Sequence, residues 1–284
     1  MWFLEKILSK TNSPIRTKDS WSFSWIVIGV IGTVVTVTGV DWIGEIFGIY
    51  TKWGKLTVIV GIFLLTWIFT YFVKGFFARR GITLKIRNIT VYIQTGDLFR
   101  QSDWKVIGFN EYFDTLVDDK VIARNSLNGI FIEKYVKGNL PKLKEAINSA
   151  RNDEDTTLKP ISLRNGKTRY PVGRIITYDN TFMLLALTHF DHNQAHLTQG
   201  EYEVCLRNMW HEISRLYANR PVALPLLGGG ITRFEVTKSS NALLKCMLCT
   251  LKMSNAQINS EITIVVTDKV MKELDVYEIS RGVV

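Results

Sequence analysis

Cysteine is nearly absent. Cys205, Cys246 and Cys249 are the only three in 284 residues, which rules out a disulfide framework and fits a reducing compartment. Internal repeats and low-complexity tracts are missing as well, and the length suits one or two domains. The later part of the chain has no repeated pairing of Arg or Lys with aromatics. Nucleic acid therefore ranks below anionic lipid or nucleotide as the acidic partner implied by a formal charge of +9. With 46% hydrophobic residues, a mainly disordered protein is excluded. Catalytic patterns are lacking too. No Ser/His/Asp or Cys/His arrangement follows from spacing, and His211-Glu212 lacks the second histidine of a zinc-protease helix. Cys246-Met247-Leu248-Cys249 lies in an apolar helical pattern, where cysteine packs as a small hydrophobe.

Charge is missing from two long stretches. Trp21–Val40 and Leu56–Val73 contain no Asp, Glu, Lys or Arg. Each is long enough to cross a hydrocarbon core, which takes about 20 residues as a helix. Trp21, Trp42, Trp53, Tyr50 and Tyr71 stand near their ends, as interfacial aromatics do. The first run is too long and too far inside the chain for a signal peptide. The reading is a two-helix transmembrane hairpin over 21–80, after a cytoplasmic or interfacial segment at 1–20. Basic residues set its orientation. Lys6, Lys10, Arg16 and Lys18 precede the first span, and Lys74, Arg79, Arg80, Lys85 and Arg87 follow the second. Lys52 and Lys55 between them are offset by Asp41 and Glu45. Both termini are therefore expected in the cytoplasm, with the protein multi-pass in the cell membrane. Gly29, Gly32, Gly39 and Gly61 allow close helix approach between copies, a hint of homo-oligomerisation.

After Arg80 the period changes. Strands are expected at 82–86, 89–93, 105–110, 174–178, 182–190, 222–227 and 262–267, and helices at 131–136, 140–151, 200–219, 239–252 and 269–274. Alternation of strands and helices gives an α/β domain over 81–284 with a mixed central sheet flanked by helices. Asn152-Asp153-Glu154-Asp155 reads as a solvated acidic loop. Val222–Leu227 runs into Gly228-Gly229-Gly230-Ile231-Thr232. Such a loop after a buried strand offers successive backbone N–H groups to a phosphate, although a flexible connection has the same composition. His189-Phe190-Asp191-His192, with His196, has spacings that suit a metal. No cysteine is near, so a loop folding over a ligand is preferred and no metal is assigned.

Four segments in order resemble the macro domain, the fold that binds ADP-ribose, over roughly 82–284. Gly96-Asp97-Leu98 looks like the family's Gly-Asp-Ile turn, whose aspartate accepts from the adenine amino group. Ile107-Gly108-Phe109-Asn110 looks like the strand whose terminal asparagine contacts the distal ribose. Asn125-Ser126-Leu127-Asn128-Gly129 sits where the first phosphate-and-ribose loop belongs, and Pro225-Leu226-Leu227-Gly228-Gly229-Gly230-Ile231 looks like the second diphosphate loop. The resemblance implies Asp97, Leu98, Asn110, Asn125, Ser126, Leu127, Gly129, Leu227, Gly228, Gly229, Gly230, Ile231 and Thr232 as ligand-binding residues.

The whole arrangement resembles the membrane effectors of Thoeris anti-phage systems, which share the segments found here as Asn110–Thr115 and Pro225–Gly230. That resemblance implies a sensor without a cofactor. A TIR-domain protein releases an ADP-ribose derivative, expected here to be a histidine–ADP-ribose conjugate. The macro domain binds it, and the spans then assemble and disrupt the membrane, ending in cell death or growth arrest. The rival is a membrane-anchored ADP-ribosyl hydrolase, weakened because the first loop has the single Gly129 in place of a glycine run. A lipid- or RNA-binding membrane protein is a third reading without a dedicated motif.

Overall fold

The computed structural model describes residues 24–27, 29, 30, 32, 48, 51–78, 81–163, 167–191, 194–229, 233, 234, 239–275 and 279. The chain divides into two compact units, 1–80 with 275–278, and 81–274 with 279–284.

In the first unit, α1 (Lys52–Ala78) is one continuous helix of 27 residues. It begins at Lys52, in the segment between the two uncharged stretches. Its threonines close on their own helix: Thr57, Thr66 and Thr70 donate to the carbonyls of Trp53, Ile62 and Thr66 at 2.7–2.9 Å. Leu65, Phe69 and Phe72 are exposed, whereas Phe63 is buried with its ring 5.6 Å from that of Trp25. Counted on the residues described in full, no helix is long and apolar enough to cross a membrane. The lack of charge over Leu56–Val73 is a property of the sequence. Most of the first expected span lies outside the described residues.

The second unit is built on a sheet. Strands β1 (Gly81–Ile86), β2 (Ile89–Thr95) and β3 (Trp104–Asn110) come first, followed by helices α2 (Leu127–Tyr135) and α3 (Leu140–Ser149). A small hairpin, β4 (Ile161–Ser162) with β5 (Thr168–Arg169), precedes β6 (Ile175–Tyr178), β7 (Phe182–Asp191) and β8 (Gln194–Leu197). Helix α4 (Gln199–Leu216), β9 (Val222–Pro225), β10 (Arg233–Phe234), α5 (Ser240–Met253), β11 (Ile262–Val266) and α6 (Asp268–Glu273) complete it. The sheet runs β1-β2-β11-β9-β3-β7-β8-β10, and β6 also pairs with β7. From β2 to β7 every pairing is parallel; β1, β6 and β8 join antiparallel. Five parallel strands therefore end along one edge, where open α/β sheets bind ligands.

The central strands follow from their composition. Ile262–Val266 is buried throughout and Val222–Leu224 likewise, as continuous apolar runs covered on both faces must be. One face joins Ile107 and Phe109 of β3 and Leu184 and Ala186 of β7 to Phe131 of α2 and Leu143 of α3. Phe131 lies edge-on to Tyr178 at 5.8 Å and tilted to Phe182 at 4.8 Å. Helix α4 packs on β6, β7 and α5, and α5 on β1.

Asn152, Glu154 and Asp155 are exposed, as the sequence reading expects, and the correction falls on Asp153 alone. Its Oδ2 lies 2.6 Å from Arg174 Nη2 and 3.0 Å from Arg215 Nη2. Arg174, 1% exposed, also pairs through Nη1 with Glu212, which accepts from Thr156 Oγ1 at 2.9 Å. Burial pushes the Asp153 carboxyl upward, and the two guanidinium groups outweigh it and hold the group below its ordinary value. A charge cluster that looks like a surface loop is the counterion of a buried arginine.

Candidate ligand cleft

The site begins where β3, β7 and β9 end. A cleft of about 240 Å³ opens there between the turn after β3, the loop 121–128 leading into α2, the β7–β8 hairpin and the loop after β9. Its walls are mostly apolar, with Phe109, Val121, Ile122, Leu187, Phe190 and Leu226 among them. Among the described residues, none that lines it is an Asp, Glu, His, Lys or Arg.

The first wall is a helix start. Ser126 caps α2: its Oγ donates to Ala123 O at 2.6 Å and accepts from Gly129 N at 3.0 Å. Ser126 O accepts from Ile130 N at 2.9 Å. The N–H groups of Leu127 and Asn128 are first-turn donors that the helix cannot satisfy, and both residues line the cleft. Asn128 Oδ1 is buried without a hydrogen-bond partner. Loop 118–124 is held by its own aspartates. Asp118 Oδ1 accepts from Lys120 N and Val121 N at 2.9 and 2.7 Å, and Asp119 Oδ1 from Arg124 N at 2.8 Å. Those backbone bonds hold the Asp118 carboxyl below its ordinary value.

The second wall is the glycine loop. Gly228 has φ +78, a conformation that glycine adopts without a steric cost. Leu227 is buried, and its carbonyl accepts from Tyr202 Oη at 2.9 Å. Burial pushes the Tyr202 hydroxyl well above its ordinary value and keeps it a donor. The third wall is β7–β8. Phe190 pairs with Ala195 and both line the cleft, whereas His189, paired with His196, does not. The imidazole of His189 meets Glu111, with Nδ1 2.7 Å from Oε2.

Of the residues expected from sequence, Asn110, Ser126, Leu127, Leu227 and Gly228 meet at this cleft. Asn110 is spoken for: Nδ2 donates to Asp114 Oδ2 at 2.9 Å, and Oδ1 accepts from Tyr112 N and Asp114 N. It shapes the turn after β3. Asp97 follows β2 and caps a short 3₁₀ turn, Leu98–Arg100, accepting from Phe99 N at 2.9 Å. Its side chain is 52% exposed, and it is not among the lining residues. Leu98 belongs to the core cluster, and Asn125 is exposed and not among the lining residues. Gly229 does not line it, and Gly230, Ile231 and Thr232 lie outside the described residues. Gly129 is a packing glycine: a Cβ there would sit 2.3 Å from Ala123 O.

Sequence reasoning missed Val121, Ile122, Asn128, Thr188 and Phe190 as wall residues. Asn128 lay within the quoted loop motif, so the signal was present. The expected lid over His189–His196 is instead a strand pair for the described part, with His192 outside the described residues. Among the described residues no group of three or more His, Cys, Asp or Glu is placed to hold a metal ion.

The sequence profile of the family described as "Thoeris protein ThsA, Macro domain" matches residues 91–267. The chain belongs to the ThsA macro-domain family. A curated relative, Thoeris protein ThsA of Bacillus amyloliquefaciens, is 36% identical over 237 residues, 80% of this chain and 78% of that one. Solved structures of the Oceanobacillus iheyensis macrodomain also match. A mutant with ADPR gives a TM-score of 0.44 at 14% identity, covering 71% of this chain and 95% of that chain. The same macrodomain with ADP gives 0.43 at 14% identity, covering 71% and 93%. The profile takes in the turn after β2, the cleft's first wall and both strands that carry the rest.

Proposed function

We propose that this ThsA-family chain is the membrane effector of an anti-phage system, and that its macro domain senses an ADP-ribose derivative made by a TIR-domain partner. One observation carries the ligand half of the reading. A cleft on the carboxyl edge of parallel strands is lined by Leu127 and Asn128, whose first-turn N–H groups the helix cannot satisfy, and the Oδ1 of half-buried Asn128 has no hydrogen-bond partner. A helix start with free N–H groups suits phosphate oxygens, and the orphan amide oxygen suits a ribose hydroxyl. Leu227 and Gly228 close the opposite side with backbone atoms. Asp97, outside the cleft lining, gives Oδ1 to the Phe99 N–H and holds Oδ2 3.8 Å from Arg100 Nε; an adenine amino group would have to reach that exposed pair beyond the cleft.

The described residues that line the cleft are all uncharged, and that lining supports a receptor over a hydrolase. Water attack on an ADP-ribosyl bond needs a positioned base within hydrogen-bond reach, and amides, hydroxyls and apolar groups do not supply one. For the membrane half, support comes from the uncharged stretches Trp21–Val40 and Leu56–Val73 and from the exposed Leu65, Phe69 and Phe72 on α1. Threonines bonded to their own helix carbonyls suit a medium that offers no hydrogen bonds. A signal that binds the assembled form more tightly shifts copies into homo-oligomers, whose spans disrupt the membrane. The expected ligand is a histidine–ADP-ribose conjugate, and the expected location is the bacterial cell membrane with both termini cytoplasmic.

The test is calorimetric titration of the full-length chain in detergent with ADP-ribose and with the histidine conjugate, followed by chromatography of the ligand. The expected result is saturable binding without turnover, lost in Asn128→Asp, which sets a carboxylate at the phosphate donors. Turnover would transfer the site to the hydrolase reading, and failure of both compounds to bind would remove the nucleotide reading.

A further inference from the structure

We infer that His189, which does not line the cleft, is the positioning residue that sets the cleft's width, clasped as an imidazolium between Glu111 and Glu201. The ligand arm of this inference rests on the proposed function; the clasp itself rests on geometry alone.

Three elements meet at one ring: the turn after β3, the β7–β8 wall and the start of α4. Glu111 directly follows Asn110 at the end of β3 and is 5% exposed. Its Oε2 lies 2.7 Å from His189 Nδ1, and its Oε1 accepts from Phe190 N at 3.3 Å. Its backbone is fixed at both groups, by Thr188 O at 2.9 Å and Tyr170 N at 2.8 Å. On the far side of the ring, His189 Nε2 is 3.4 Å from Glu201 Oε1. Glu201 belongs to the capping box that starts α4, with its other oxygen accepting from Thr198 N at 2.8 Å. The next residue, Tyr202, reaches Leu227 O in the glycine loop. β8, whose His196 is paired with His189, also pairs with β10 (His196 with Arg233), the strand that receives the chain after that loop. One imidazole thus joins the turn after β3, the Phe190–Ala195 wall and the helix that anchors the glycine loop.

The chemistry requires a charge. A neutral imidazole has one N–H and can serve one carboxylate only; an imidazolium keeps the hydrogen bond to Glu111 and attracts Glu201 by charge across 3.4 Å. Loss of the proton leaves a ring lone pair facing an oxygen, and one of the two links opens. Among the described residues, the titratable and charged groups around the ring are Glu111, Glu201, His196 with its ring centroid 5.8 Å away, and Arg169. The hydrogen bond from Glu111 outweighs burial and, with the charge of Glu201, holds the imidazole above its ordinary value, while Arg169 works against it. A group raised in this way keeps its contribution at low pH and loses it as pH rises through the folded-state value. The clasp is closed on the acid side and opens on the alkaline side.

Two measurements on the full-length chain test it. Without ligand, amide hydrogen exchange of β8 and residues 226–229, corrected for intrinsic rates, is followed from about pH 6 to about pH 9. Wild-type protection should fall on the alkaline side, His189→Gln should show the lowered protection at every pH, and His189→Arg should keep high protection throughout. Calorimetry with ADP-ribose should show affinity falling on the order of tenfold over the same range, the scale of one charge-assisted hydrogen bond lost, and His189→Arg should abolish that pH dependence. Unchanged protection across pH in the wild type, or His189→Arg behaving as His189→Gln, overturns the clasp. Should His189→Gln fail to fold, the wild-type series decides. Failure of ADP-ribose to bind the wild type would refute the proposed ligand, and the exchange measurement would still decide the clasp.

Discussion

Replacing Gly129 by alanine separates two roles that the sequence alone cannot distinguish. A glycine that lets a ligand approach the backbone can become alanine with lower affinity and unchanged stability. The structure gives a different outcome. The new Cβ would fall 2.3 Å from Ala123 O and 3.0 Å from Arg124 Cα, and both are backbone atoms that cannot rotate away. The loop cannot yield freely, because Ala123 O already accepts from Ser126 N at 3.0 Å and from Ser126 Oγ at 2.6 Å. Such overpacking costs about 1–3 kcal/mol. Against it stands a gain of about 0.5–1 kcal/mol for replacing glycine inside a helix. The difference spans about 0–2.5 kcal/mol, and a Cβ only 2.3 Å from a backbone oxygen places it in the upper part, about 1.5–2.5 kcal/mol; at about 2–4 °C per kcal/mol for a domain of this size Tm falls by about 3–10 °C. ADP-ribose affinity should fall as well, since Ala123 and Ser126 line the cleft. Gly200→Ala is the control: in α4 it has nothing within 4 Å of a built Cβ, so it should stabilise by about 0.4–1 kcal/mol. Scanning calorimetry of both variants beside wild type is the assay. Gly129→Ala melting at or above wild type would refute the packing argument, and lowered affinity at unchanged Tm would restore the ligand-approach role.

Arg174→Met should cost about 3–5 kcal/mol in urea denaturation, because it leaves the buried Glu212 and Asp153 to share Arg215. Adding Glu212→Leu should recover part of that loss, and additive losses would refute the pairing. Tyr202→Phe should cost about 1–3 kcal/mol, since it leaves the carbonyl of buried Leu227 without its donor. The same variant should weaken ADP-ribose binding while leaving the pH dependence assigned to His189 in place.

The fold was legible wherever one physical rule governed a segment. Continuous apolar runs at Val222–Leu224 and Ile262–Val266 are buried parallel strands, and the serine before Ser240 starts α5 as a cap, with Ser239 Oγ accepting from Ala242 N. Periodicity failed where tertiary partners override composition. Asn152-Asp153-Glu154-Asp155 has every property of a solvated loop, yet the partner that makes Asp153 structural is Arg174, distant in sequence and 1% exposed. The two-residue strands β4, β5 and β10 are too short to show a period at all.

The site was legible by motif and not by side chain. The Asn125–Gly129 motif does mark a wall of the cleft, but the work within it is divided in a way that only the cap reveals. Ser126 and Gly129 satisfy each other, which turns a loop expected to extend to 129 into a helix that starts at Leu127. That shift of register is what leaves the first-turn donors of Leu127 and Asn128 without intrahelical partners and commits the Gly129 N–H to Ser126 Oγ. Asn110 shows the same logic from the strand side. Its amide closes the turn through Asp114 and Tyr112, and the turn in turn delivers Glu111 to His189. A polar residue at the end of a buried strand can serve a ligand directly or build the frame around it; which one applies is decided by how many of its hydrogen bonds the chain has already used. For Asn128 that number is zero at Oδ1, which is why the asparagine absent from the sequence-based site is the one on which the proposed ligand chemistry turns.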